Sequence, residues 1–421
     1  MTGMGWIFWI ACTGNEIETG QEAGFFSNDE IVVLNSLGPF PAPPDDPTNA
    51  VANNSEAAHL GQWLFFDSRL SQNNDFSCAT CHDPDKGFGD GLLLSEAVGT
   101  TERHSPHLWN NAYNRWFFWD GRCDTAWCQA LQPIEDTTEM NNDRLSIAHL
   151  VFNDAELRTA YEILFGELPD LSDTSRFPES GSPLAEDATL IQAWDGMAED
   201  DQETINEIFS NLGKSIAAYE RKLISKNSTF DQFWAEYQED QTTTALSDSA
   251  LRGLKIFVGV GNCHLCHSGP HFTNAEFHNI GLGPQSWLSD QDMGRYDGIT
   301  MLLDNQFNGA GPFSDAPETG APKLNYLTQG PEQLGQFKVP SLRSISLSPP
   351  YMHGGQLETL HDVVEFYNDL DQEPLFGHRE DFMTPLGLNE ADLEDMVAFL
   401  ESLTGEALAP ELMLAPDSPI P

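Results

Sequence analysis

Two short runs constrain this chain more than any other part of it: Cys78-Ala79-Thr80-Cys81-His82 and Cys263-His264-Leu265-Cys266-His267. A Cys-x-x-Cys pair has three common uses: a redox dithiol, half of a zinc site, or a covalent haem anchor. Zinc wants two cysteine pairs in one compact knuckle, roughly 15 to 20 residues apart, and here each pair sits in its own half of the chain. A redox dithiol does not require the trailing His, and its usual context is a βαβ unit. Cys-x-x-Cys-His is the c-type haem attachment pattern, in which both thiols bond the porphyrin and the adjacent His supplies the proximal nitrogen. Two occurrences among only seven cysteines point to two covalently attached haem c groups. Cys78, Cys81 and His82 would hold one, Cys263, Cys266 and His267 the other, with His82 and His267 as iron ligands. What faces the far side of each iron then decides function. A second strong ligand makes an electron carrier, and an open position binds peroxide.

Each motif follows a stretch with helical apolar spacing. "EAAHLGQWLFFDSRLS" leads to the first and "ALSDSALRGLKIFVGVGN" to the second. Between them, "DQETINEIFSNLGKSIAAYERKLIS" places Ile205, Ile208, Phe209, Leu212, Ile216 and Tyr219 on one helix face. "NEADLEDMVAFLESLTG" reads as a closing helix with Leu393, Met396, Val397 and Leu400 buried. Residues 25–54, with a short apolar run at Ile31 to Leu37, read as a leader loop wrapping the first domain, 169–187 as a surface loop and 281–335 as mostly loop. Strand signals are few and short. The expectation is a mainly α fold of two cytochrome c-like haem domains with long loops, related by internal duplication. Its parts are a leader over 1–24, a first domain over 25–215, a second over 216–410 and a tail over 411–421.

Composition excludes one class of partner. There are 66 acidic and 19 basic residues, a formal net charge of −47. Phosphate binding needs clustered Lys and Arg, so nucleic acid is excluded. Such a field attracts a basic protein partner, and it also serves as a solvating shell in a salty medium. At the N-terminus, Trp6 to Ala11 is apolar and Cys12 follows. That resembles the end of a lipoprotein export signal with Cys12 as the lipid anchor, although the basic start of a signal peptide is missing. The run is too short to span a bilayer. The expected location is the periplasm.

"LFFDSRLS", "SCATCHDPDKGFGDG", "FWDGR", "QALQPIEDTTEM", "CHLCHSGPHFTN" and "FKVPSLRSISLSPPYMHGG" together resemble the bacterial di-haem cytochrome c peroxidase superfamily, and within it the MauG/MbnH-like branch. The resemblance runs from about Leu60 to Gly405. It implies that Trp119 lies between the haems and relays electrons or holes. Gln129 and Glu139 match the distal pair over the peroxide-binding haem, where Glu139 would move a proton between peroxide oxygens and Gln129 would position the bound species. Taken alone, Trp119 reads as core, Gln129 as a helix surface residue and Glu139 as one solvated acid among many; the spacing 119, 129, 139 matches the family. Two departures matter. The loop "GDGLLLSEAVGTTE" lacks the His that caps the resting iron in peroxidases needing reductive activation, so the first haem is expected open and high-spin. Tyr367 stands where those peroxidases place a Met, as in MauG-like enzymes, and a phenolate stabilises higher-valent iron where a thioether favours the reduced state. Tyr367 also has an ordinary reading as a packed core residue. The resemblance further implies a calcium ion on the backbone carbonyls of Ser348 and Pro350, put in doubt by His104 where the family has Asn, and a haem propionate paired with Arg343. Cys123 and Cys128 are left over and become a feasible disulfide if Asp124 caps the following helix.

The expected activity is that of a di-haem c-type peroxidase-like oxidoreductase. Hydrogen peroxide reacts at the first haem, and oxidising equivalents pass through Trp119 and the second haem to a partner protein. Two alternatives stay open: a cytochrome c peroxidase fed by a small cytochrome, and a non-catalytic di-haem electron carrier.

Overall fold

The computed structural model describes residues 24–240 and 243–421, so the leader and Cys12 lie outside the described residues. Two hydrophobic cores organise the rest. In the first, the helix Ser55–Phe66 crosses the helix Glu199–Glu220. Asn54 starts the former by accepting from the Glu56 and Ala57 amides, and Leu60, Leu64 and Phe65 bury its inner stripe. The latter opens on Glu199, Asp200 and Asp201, which suit the positive end of a helix. All six of its expected core positions are buried. Gly61 sits at the crossing, where a Cβ would come within 1.8 Å of the Ser215 carbonyl oxygen. The second core repeats the device. The helix Asp248–Val258 crosses the helix Glu390–Glu401, and a Cβ on Gly253 would come within 2.0 Å of the Asp395 carbonyl oxygen. Leu393, Met396 and Leu400 are buried as expected, while Val397 is only half-buried and Phe399 takes the central place.

Three expectations need correction. Residues 25–54, read as a loop around the first domain, hold the helix Asn28–Ser36, whose Leu34 packs in the second core; residues 281–335 are mostly loop, as expected, and hold the helices Arg295–Asp304 and Pro317–Leu324. The helix Arg295–Asp304 forms because Ile299 and Leu302 bury inward and Arg295 donates to the carbonyls of Asp120 and Gly121; those are tertiary contacts with no local signature. The boundary between residues 215 and 216 falls inside the helix Glu199–Glu220, which belongs whole to the first core. The ends of the chain also interlock. Phe26, Leu34 and Leu37 pack in the second core, and Leu408, Met413 and Ile420 pack in or against the first. Gln62 donates to the Glu411 and Leu414 carbonyls and Tyr219 to that of Leu412, which fixes the tail there. The one sheet among the described residues pairs Phe277–His278 antiparallel with Phe337–Lys338, Phe277 opposite Lys338.

Candidate di-haem site

Both Cys-x-x-Cys-His runs open onto one cavity of about 1430 Å³, lined by Cys81 and His82 of the first and by Cys263, Cys266 and His267 of the second. That is larger than the usual pocket for a single small ligand. The local geometry of the two motifs matches. His82 Nδ1 donates to the Phe88 carbonyl (3.1 Å) and His267 Nδ1 to the Phe272 carbonyl (2.9 Å). This fixes the tautomer and leaves each Nε2 lone pair for a metal. The accepting residues have φ of +59° and +53°, a strained conformation for a bulky side chain. Their rings are fully buried, and that packing holds the carbonyls in place. All four motif cysteines are free thiols. Burial pushes Cys81 and Cys263 up to about 12 and Cys266 to about 11, and raises Cys78 as well. A reactive dithiol needs the opposite shift. Among the described residues the one cluster of three metal-ligating side chains is His361, Asp362 and Glu365, which draws on neither motif. Free thiol pairs, oriented imidazoles and a shared cavity fit two haem c groups, and the raised thiols do not fit dithiol redox chemistry.

At the first motif, Gln129 and Glu139 line the cavity. Gln129 is carried by the helix Ala126–Glu135, and Glu139 by the turn after it, where its amide donates to the Asp136 carbonyl (3.2 Å). Burial raises the Glu139 carboxyl to about 7, helped by Asp136 and partly offset by Arg122. It can therefore both hold and release a proton near neutral pH. Trp119 lines the same cavity. Its Nε1 donates to the His104 carbonyl (2.8 Å), and its own carbonyl accepts from the Lys338 amide (2.7 Å). Next to it, burial pushes Asp120 up, but Arg122 and Arg103 outweigh that and hold it at about 2.

At the second motif, Tyr367 projects into the cavity from the helix Leu360–Asp369. Burial, with the Cys266 and Cys263 sulfurs beside it, raises its phenol well above the usual range. Ser348 and Pro350 line the cavity too. His104 donates from Nδ1 to the Leu92 carbonyl (2.8 Å) and so is engaged in holding the loop. Arg343 is fully buried, and its Nη2 has no hydrogen-bond partner. It does not line the cavity. It pairs with Asp231 (2.7 Å) and donates to the Pro270 carbonyl (2.8 Å). Cys123 and Cys128 form a disulfide, Cα–Cα 5.7 Å. The helix cap beside it is Thr125, which accepts from the Cys128 amide, and Asp124 accepts from the Gly309 amide instead. Sequence reasoning missed Glu220, buried beside Cys78, which burial raises to about 7 and Asn111 hydrogen-bonds at 2.7 Å. It also missed Lys338. Neither carries a local signal, since both matter through what surrounds them.

Fold and site together define a mostly helical, two-core protein built to hold two c-type haems over one cavity. The chain belongs to the di-haem cytochrome c peroxidase family, which takes in MauG. The family model described as di-haem cytochrome c peroxidase matches residues 55–239. Cytochrome-c peroxidase IdrP2 of Denitromonas iodatirespirans is 32% identical over 85% of this chain and 84% of its own. Methylamine utilization protein MauG of Methylorubrum extorquens is 31% identical over 84% and 80%. Among solved structures, a MauG-like protein associated with microbial copper homeostasis superposes with a TM-score of 0.63 at 22% identity, covering 89% of this chain and 98% of that one. Proteins of this family are peroxide-dependent oxidoreductases.

Proposed function

We propose that hydrogen peroxide reacts at the haem held by Cys78, Cys81 and His82, and that oxidising equivalents leave through Trp119 and the second haem to oxidise a partner protein. The observation that supports this is one cavity lined by both motifs and by Gln129, Glu139, Trp119 and Tyr367, with Glu139 acting on Cys81 of the first motif and Tyr367 beside Cys266 of the second. The haems supply iron that takes electrons from and gives electrons to other molecules. The chain supplies everything else. Glu139, half-protonated near pH 7, takes a proton from one peroxide oxygen and returns it to the departing one. Gln129 offers an amide to orient the bound oxidant. Trp119 gives its N–H to a carbonyl, which accepts no proton, so the indole keeps its N–H while an electron passes through it. Tyr367, beside Cys266 and Cys263, would hold the second iron through its phenol oxygen, and such a ligand would favour the oxidised forms of the iron. The Cys123–Cys128 disulfide supports an oxidising compartment such as the periplasm.

A second reading, peroxidase turnover with a small cytochrome as donor, is supported by relatives named cytochrome-c peroxidases. EPR with a Tyr367→Met variant tests the first. The oxidised wild type shows one high-spin and one low-spin haem. Tyr367→Met keeps both haems attached and raises the potential of the low-spin one by on the order of a few tenths of a volt. Two low-spin signals, or rapid turnover of reduced cytochrome c by the wild type, overturn the reading.

A further inference from the structure

Four basic side chains line the cavity, and three have a carboxylate. Arg103 pairs with Asp120 (2.5 Å) and Asp292 (2.7 Å), Arg122 with Asp120 (3.1 Å), and Arg144 with Glu135 (2.6 Å). The fourth, Lys338, forms no ion pair among the described residues, and burial alone acts on its ammonium, lowering it to about 8. Lys338 is half-buried, and an ammonium that faces a cavity with no counter-charge of its own is suited to receive an anion there. A second donor faces the same space. His107 lines the cavity with its Nδ1 buried and without a hydrogen-bond partner. After burial, the Lys338 charge is the strongest influence on its imidazole, ahead of His104 and His82. Both side chains line the one cavity, and the chain next to His107 lies by the first motif, since Ser105 Oγ donates to the Cys81 carbonyl (2.9 Å). The backbone fixes them there. The Lys338 amide donates to the Trp119 carbonyl (2.7 Å), Lys338 stands opposite Phe277 in the sheet, and the His104 carbonyl shortly before His107 accepts from Trp119 Nε1. The Lys338 ammonium, without an ion pair, and His107 Nδ1, without a hydrogen-bond partner, thus line the same cavity as Trp119.

We infer that Lys338 and His107 seat a carboxylate of the haem attached at Cys78 and Cys81, at the edge of that haem that faces Trp119. The inference rests on the di-haem reading, because the haem's propionate side chains are the anions that a covalently fixed porphyrin brings into this cavity. Arg343 pairs with Asp231 through Nη1 and does not line the cavity, while its Nη2 is buried without a partner. The seat does two things. It fixes the tilt of the haem about its cysteine anchors, and it places one positive charge at the haem edge, which stabilises the reduced form. Lys338 is then a positioning and potential-setting residue, tied through its own amide to the relay Trp.

The test uses the purified full chain carrying its haems. Lys338→Met, Lys338→Gln and Lys338→Arg are compared with wild type by mass, by spectroelectrochemical titration and by the propionate bending band in resonance Raman. All should carry two haems, since the cysteines hold them. Lys338→Met and Lys338→Gln should lower the potential of the high-spin haem, shift its propionate band and leave the low-spin haem unchanged. Lys338→Arg should restore both. His107→Gln gives an independent arm and should shift the same band. Two bound haems with unmoved bands and potentials in Lys338→Gln and His107→Gln overturn the inference, as does a shift confined to the low-spin haem. A wild type without haem would overturn the di-haem reading itself, which the mass measurement distinguishes.

Discussion

Glu139 shows how a single residue acquires its role from its surroundings. Its folded carboxyl titrates near 7, raised by burial and Asp136, so the fold favours the neutral form. The stability it allows is fully present below the ordinary carboxylate pKa and is lost as pH rises through the interval up to about 7. Glu139→Gln removes that titration while keeping the shape. The variant should resist heat better than wild type at pH 8 and no better at pH 4. Its reaction with peroxide should slow by about 10²–10⁴, and the rate should lose the inflection near pH 7 that wild type shows in stopped flow. An unchanged rate and profile would remove Glu139 from the proton path. That Trp119, Gln129 and Glu139 line one cavity was legible in the sequence only through the family pattern; as bare residues they look like core, surface and one acid of many. The haem ligands are different. Cys-x-x-Cys-His is a contiguous motif whose chemistry needs no distant partner, so it reads directly.

At the scale of elements, the two helix crossings depend on a missing methyl group. Gly61→Ala would drive a Cβ into the Ser215 carbonyl and Gly253→Ala into that of Asp395, and backbone on both sides leaves little room to give. Each should cost about 1–3 kcal/mol by overpacking, read as a lower midpoint in urea denaturation. Gly61→Ala should disturb the high-spin haem signal first and Gly253→Ala the low-spin one. Equal effects on both signals would mean that the cores do not stabilise their haems separately. The helices themselves were legible wherever apolar periodicity was strong, as in Glu199–Glu220 with all six inner positions buried. The helix Arg295–Asp304 was not, because Arg295 and Gly298 sit in it for the sake of contacts with Asp120. Thr125 rather than Asp124 caps the helix after the disulfide because Asp124 is taken by a partner almost two hundred residues away in sequence. Lys338 was illegible for the same kind of reason: lacking a partner is a property of the folded surroundings.

The whole molecule is an interlocked pair of cores carrying a net charge of −47. Phe26, Leu34 and Leu37 from the start of the described chain pack in the second core, and Leu408, Met413 and Ile420 from its end pack with the first. Each haem domain is therefore finished by the opposite end of the chain, which no reading of boundaries along the sequence captures. This linkage opposes separation of the two halves, and a path for electrons between two haems requires their distance to stay fixed. The charge acts beyond the molecule. A field of this sign draws in a basic partner and repels an acidic one, and it weakens as salt shortens the Debye length from about 30 Å at 0.01 M to about 8 Å at 0.15 M. Oxidation of a basic redox protein should therefore slow by roughly tenfold or more across that range, while the reaction with neutral hydrogen peroxide stays constant. Stopped flow separates the two steps in one preparation. If the partner step proves as indifferent to salt as the peroxide step, the acidic surface serves solubility and the partner docks by apolar or uncharged contacts instead.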